Sequence, residues 1–282
     1  MIKGTTEWVR VSENITIISR ETGEFWFLDP SQHADKVPFG RPMTGNGTRG
    51  STAGLLNGAV ELGFIGHQND LGENTPSIAR YVLDLIGSYH NARRAPGHFS
   101  RAAKRLKELN RPETASYLET HAREETGHDR LALKDLRALG LPAEQIVANF
   151  VPEGWQPLYE IFDRVSASEY PIGCLGYCYC FESTAAMKHK ADIEALQAIC
   201  AEGVDASRFA RTHSGIGSEA DHVEDLIDLI AGLPASDRIE IVKVTYDTAL
   251  ALADNVRDGL ISDAAILAKI QAAAGEEIHL AA

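Results

Sequence analysis

Apolar positions alternate with polar ones near the start of the chain and then recur every three to four residues almost to its end. In the first part, Trp8-Val-Arg-Val11, Asn14-Ile-Thr-Ile-Ile18 and Glu24-Phe-Trp-Phe-Leu28 are β-branched and aromatic, with Glu21-Thr-Gly23 as a turn between the last two. A β-hairpin, extended to three strands, is predicted there. It is too small to be stable alone, so it should dock on the main body as a flap. Residues 29–50 are rich in Pro, Gly and polar side chains and read as a linker or covering loop. Helical spacing then predicts helices over 51–65, 76–91, 96–109, 111–140, 142–150, 154–167, 171–190, 192–203, 205–230 and 235–260, with a short tail helix behind. The fold class is therefore all-α, a multi-helix bundle with a small N-terminal β-hairpin extension. Residues 1–45 form the hairpin and linker, and 46–282 the helical domain.

Composition narrows the functional classes. With 44% hydrophobic and 24% charged residues, the 282-residue chain has enough apolar material for a full core. Its 27 basic against 40 acidic residues give a formal charge of −13, which opposes binding to nucleic acid or anionic membrane. No apolar stretch approaches the ~20 residues of a membrane span. The first residues lack the apolar core of a secretory signal, so the expected location is the cytoplasm. Cys174, Cys178, Cys180 and Cys200 are too few for a disulfide scaffold in a chain of this length. They read as small residues of a buried segment.

Three polar features interrupt the apolar faces. The first is His121-Ala-Arg-Glu-Glu125-Thr-Gly-His128 in the long 111–140 run, where His121, Glu125 and His128 share an arc of about 60° on a straight helix at ~100° per residue. The second is Glu182, the lone charge in Cys174-Leu-Gly-Tyr-Cys-Tyr-Cys-Phe-Glu182. An ionised carboxylate persists there only if paired or bound to a metal. The third is Glu219-Ala-Asp-His222, a second carboxylate–imidazole pair at i and i+3. Helical bundles build dinuclear carboxylate centres from such parts, and mixed imidazole and carboxylate donors suit iron or manganese. Adding His213 gives a candidate metal set of Glu125, His128, Glu182, His213, Glu219 and His222. On a straight helix His213 would face away from His222. A π-bulge or unwinding at Gly215 and Gly217 would bring it round; otherwise it is a core or outer histidine.

The stretches His121-Ala-Arg-Glu-Glu-Thr-Gly-His-Asp-Arg-Leu-Ala-Leu-Lys-Asp-Leu-Arg-Ala-Leu-Gly140, Gly176-Tyr-Cys-Tyr-Cys-Phe-Glu182 and residues 204–223 resemble the iron-containing redox enzyme family, the haem-oxygenase-like di-iron oxidases and oxygenases. The resemblance covers roughly residues 50–260. It implies a haem-oxygenase-like bundle with two Fe ions, or Mn, and O2 as co-substrate. Glu125 and His128 would ligate from one core helix, Glu182 would bridge from the next, and His213, Glu219 and His222 would come from a third. The usual third-helix spacing has His four residues before the carboxylate. Gly215 stands there in this chain, which leaves Asp221 and Asp225 as substitutes. His121 would orient Glu125 or a ligand's outer nitrogen more readily than coordinate directly.

The implied activity is N-oxygenation, desaturation or oxidative C–C cleavage of a small amino-acid, amine or fatty-acid type substrate. The expected partner is that small molecule, with a homodimer as the assembly allowed for. Arg211 could pair with a substrate carboxylate, and a surface salt bridge explains it equally well. A thiaminase-like hydrolase on the same fold, with Cys174 or Cys178 as nucleophile, is the alternative enzyme. A metal- or small-molecule-binding bundle without catalysis is the third reading.

Overall fold

The computed structural model describes residues 6–28, 43, 45, 47–65, 77–215, 219–258 and 262–280. Strands β1 (Thr6–Ser12), β2 (Ile15–Arg20) and β3 (Phe25–Leu28) form an antiparallel meander in the order β1-β2-β3, in register at Val9↔Ile17 and Ile17↔Phe27. The expected three strands are present. Most of the linker expected over 29–50 lies outside the described residues.

The sheet docks on helix α1 (Arg49–Ile65) through small residues. A Cβ on Gly54 would overlap the Ser19 hydroxyl, and one on Gly58 would press on Ile17 and Phe25, so the glycine face lets the sheet approach closely. Val9 and Ile17 thereby join Leu55 and Leu56 in one apolar core, each side chain contributing about 1.5–3 kcal/mol on burial.

Helix α2 (Ile78–Glu108) begins where the Ser77 hydroxyl accepts from the Arg80 N–H, and it runs unbroken through Pro96. This corrects the two helices expected over 76–91 and 96–109. Pro96 removes a single backbone hydrogen bond, to the Ala92 carbonyl. Continued packing of Ala92, Ala95, Phe99, Ala102 and Ala103 on the core outweighs that loss.

The long helix expected over 111–140 is two helices, α3 (Pro112–Glu124) and α4 (Asp129–Ala138). Gly127 lies between them with φ +96°, a left-handed conformation that glycine adopts at no steric cost. Next come α5 (Ala143–Asn149), α6 (Gln156–Ser166), α7 (Cys174–Ala186) and α8 (Lys190–Ala198). The helix expected over 205–230 also divides, into α9 (Arg208–Thr212) and α10 (Glu219–Ala231). Then α11 (Ala235–Asp258) and α12 (Asp263–Ala274) complete the bundle. Among the described residues, no helix is long and apolar enough to cross a membrane.

Helices α7 and α11 pack at backbone distance. The Gly176 carbonyl accepts from the Thr245 hydroxyl at 3.3 Å, and a Cβ on Gly176 would lie 2.3 Å from the Ile241 carbonyl oxygen. Gly176→Ala is therefore expected to cost about 1–3 kcal/mol, the usual range for overpacking against groups that cannot swing aside. Urea denaturation checks it; a loss within error of zero would mean that the two helices are further apart than described.

Candidate metal centre

The break at Gly127 divides the first motif between two donor clusters. His121, in the last turn of α3, faces α7: its Nδ1 is 3.3 Å from Glu182 Oε1, and its Nε2 is 3.3 Å from the Cys178 thiol. That thiol is also 3.3 Å from Glu182 Oε1. His222 on α10 comes to the same carboxylate, with Nδ1 3.8 Å from Glu182 Oε1, and its ring lies edge-on to His121 at 6.0 Å. Among the described residues no hydrogen bond reaches this buried Nδ1. His121 is held by aromatic contacts, edge-to-face on Phe99 at 4.7 Å and stacked on Tyr117 at 6.1 Å.

Glu125, His128 and His213 form the other cluster, with one donor atom from each within 4.8 Å of the others. His128 Nδ1 is 3.2 Å from Glu125 Oε2, and the His128 and His213 rings meet edge-on at 4.8 Å. Burial alone would push the Glu125 carboxyl up. The His128 hydrogen bond and the fields of His213 and His121 instead bring it down to about 2.

His213 reaches this cluster because the chain leaves helical geometry there, at φ −96° and ψ 71°. The Gly215 N–H donates to the Lys188 carbonyl at 3.0 Å, in the local unwinding that His213 requires. Asp135, fully buried on α4, accepts from the Phe209 N–H at 2.8 Å and from Arg208 Nη1 at 3.1 Å. These bonds fix the short α9 and so aim His213.

Of the six residues proposed from sequence, five are therefore brought into two adjoining groups. Glu219 opens α10, but its side chain and that of Asp221 lie outside the described residues. Asp225 shares an outer groove with His121, Glu124 and His222. His121, expected behind the ligands, stands directly against Glu182, because the helix break turns it away from His128. Cys178, read from the sequence as a small buried residue and, in the hydrolase alternative, as a candidate nucleophile, joins His121 and Glu182 in a fully buried trio of donors. Its i, i+4 spacing to Glu182 was the available signal. Imidazole and carboxylate donors in two clusters, together with the buried His222 nitrogen, fit a pair of first-row divalent ions.

Both clusters open on one cavity of about 290 Å³, lined by His121, Glu125, Glu182 and His213 and walled by Phe99, Trp155, Phe162, Tyr177 and Phe181. Tyr177 is part of the wall, its hydroxyl donating to Asn91 Oδ1 at 2.7 Å. Tyr179 is core, with its hydroxyl donating to Asn57 Oδ1 at 2.8 Å. Arg211 is committed to Asp205, donating from Nη1 to Oδ1 at 3.0 Å and from Nη2 to Oδ2 at 2.9 Å. The four cysteines form no disulfide.

Neither a protein-family model nor a curated protein matches the chain in sequence. Solved structures do match in three dimensions. A domain of unknown function with a haem oxygenase-like fold from Shewanella denitrificans OS217 superposes with a TM-score of 0.60 at 19% identity, covering 79% of this chain and 95% of its own. A TenA homolog from Pseudomonas syringae pv. tomato DC3000 superposes with a TM-score of 0.56 at 13% identity, covering 77% and 100%. At such identities the likeness concerns the fold, and the chain has a haem oxygenase-like fold.

Proposed function

We propose that the chain is an O2-activating, non-haem di-iron oxidase or oxygenase acting on a small amino-acid, amine or fatty-acid type substrate. The observation that carries this reading is the placement of two donor clusters, Glu125–His128–His213 and His121–Glu182–His222, beside one largely apolar cavity. Each cluster would hold one ion, with Glu219 as a further carboxylate and manganese as the alternative metal. Bound ferrous iron supplies the capacity to bind and reduce O2. The chain's own residues hold donors in place and keep water out. Phe99 and Tyr117 fix the His121 ring, Asp135 aims His213 through α9, and the aromatic wall encloses the substrate.

Anaerobic loading of the purified protein with Fe(II), followed by metal analysis and rapid mixing with O2, tests this. Two irons per chain and an absorbance transient that depends on O2 are expected. Absence of stoichiometric metal would overturn the reading.

One observation favours a second reading, a thiaminase-like cysteine hydrolase: the Cys178 thiol touches both His121 and Glu182. Cys174 does not serve this role, because burial pushes its thiol up to about 12 and it is not on the cavity wall. Hydrolysis that survives chelation and is lost in Cys178→Ala would select this alternative.

A further inference from the structure

The end of the cavity formed by the start of α2 and the end of α7 differs from the rest in carrying two opposite charges. Along α2 the lining residues are Asp84, Ser88, Asn91, Ala92, Ala95 and Phe99, one helical face that grades from acidic through polar to apolar and aromatic. From α7 the lining runs through Cys178, Glu182 and Ala185 to Lys188, just past the helix end. Asp84 is exposed, as is Lys188; the neighbours of Asp84 push its carboxyl up by desolvation and Lys188 pulls it back down. The two are within each other's field but form no ion pair. Among the described residues, neither the Asp84 carboxylate nor the Lys188 ammonium has a hydrogen-bond or salt-bridge partner.

Both charged groups are exposed and line a space otherwise walled by Phe64, Trp155, Phe181 and Leu252, so each is free to meet a ligand there. We propose that Asp84 and Lys188 bind the ammonium and carboxylate groups of a zwitterionic α-amino acid, whose apolar side chain extends along the cavity towards the donor clusters. The assignment deepens the di-iron reading and rests on it for the fate of the bound molecule, whereas the binding itself needs no metal.

The opposed charges select among substrate classes. A fatty acid would satisfy Lys188 but set its carboxylate and chain near Asp84. A simple amine would satisfy Asp84 and leave Lys188 without its counter-ion. A zwitterion satisfies both, and Arg211, held by Asp205, does not compete for the carboxylate. Lys188 lies past the end of α7, and the Trp155, Phe162 and Phe181 side chains that line the cavity with Glu182 suit an apolar leucine- or phenylalanine-like side chain. A polar stripe at 84, 88 and 91, inside a helix otherwise rich in packed apolar residues, was the sequence signal for this end of the pocket.

The test is calorimetric titration of the metal-free, full-length protein with L-leucine and L-phenylalanine, beside 3-methylbutylamine, phenethylamine, 4-methylpentanoate and 3-phenylpropanoate. At least one amino acid is expected to bind ten times or more tightly than its own amine and acid analogues. Asp84→Asn should weaken amino acid and amine but not acid, and Lys188→Met amino acid and acid but not amine, each about tenfold. Asp84→Asn should leave the unliganded protein as resistant to heat, since the carboxylate is exposed and makes no hydrogen bond or ion pair among the described residues. Equal binding of amine, acid and amino acid, unchanged binding in both variants, or no binding of either amino acid would overturn the proposal. Iron uptake by the same preparations separates the two readings. Amino-acid binding without stoichiometric iron sinks only the di-iron function, and iron uptake without amino-acid binding sinks only the present assignment.

Discussion

His121→Ala is expected to remove about one of two bound irons, and His213→Ala the other, with helical content retained in both. The expectation follows from the two clusters on the proposed di-iron reading. His121 Nδ1 is 3.3 Å from Glu182 Oε1, in the same group as His222, while His213 is grouped with Glu125 and His128. Magnitude decides between direct coordination and an orienting role for His121. Loss of an outer hydrogen-bond partner weakens a metal site about 10–100-fold, and loss of a ligand should exceed that. Anaerobic Fe(II) titration with metal analysis after gel filtration reads the difference. His121→Gln, which keeps much of the ring's volume between Phe99 and Tyr117, controls for lost packing. If both His121 variants retain two irons with affinity within tenfold of the parent, His121 is not a ligand.

The contrast between His121 and His128 shows what local pattern can and cannot carry. Glu125-Thr-Gly-His128, Glu182 and His222 stood out in the sequence because each sets ionisable groups in an apolar context, a local property of the chain. The direction each group faces was less so. Gly127 costs only about 1 kcal/mol inside a helix, and its flanks keep helical spacing, so the sequence read as one continuous rod. The turn at Gly127 then divides one motif between two clusters. Pro96 misled in the opposite sense: it marks a boundary by its chemistry, yet the apolar face of α2 continues across it. His213 was better served, since Gly215 and Gly217 already suggested unwinding, and α9 does end there.

Groups joined only by the tertiary fold left fainter traces. Asp84 follows Tyr81, Val82 and Leu83 in the pattern of a solvated helix face, and nothing local ties it to Lys188, which is more than a hundred positions away. Cys178 looked like the other small residues of its segment until α3 brought His121 to within 3.3 Å of it. The bundle, its hairpin and most donors were thus local information. The cavity's charged end and the division of donors depended on how helices meet.

The most distant of these links predicts the largest loss of stability. Arg238, 1% exposed near the start of α11, donates from Nη1 to both carboxylate oxygens of Glu7 on β1, at 2.6 and 2.7 Å. Glu7 is 5% exposed and also accepts from the Ser51 hydroxyl at the start of α1. Nη2 and Nε of Arg238 donate to the carbonyls of Gly45 and Leu233, both at 3.2 Å. One ion pair therefore joins the sheet, the first helix and α11. Desolvation offsets much of the attraction in such a pair, so its net contribution is small, but removing one partner strands the other's charge. Glu7→Leu and Arg238→Met are each expected to cost about 3–5 kcal/mol, roughly 5–15 °C in Tm for a chain of this size. The double variant should lose far less than the sum, because it leaves no uncompensated charge. Urea denaturation of all four proteins, read as a double-mutant cycle, measures the coupling. Additive losses, or single losses below about 1 kcal/mol of the kind surface pairs show, would mean that Glu7 and Arg238 do not meet in a buried contact.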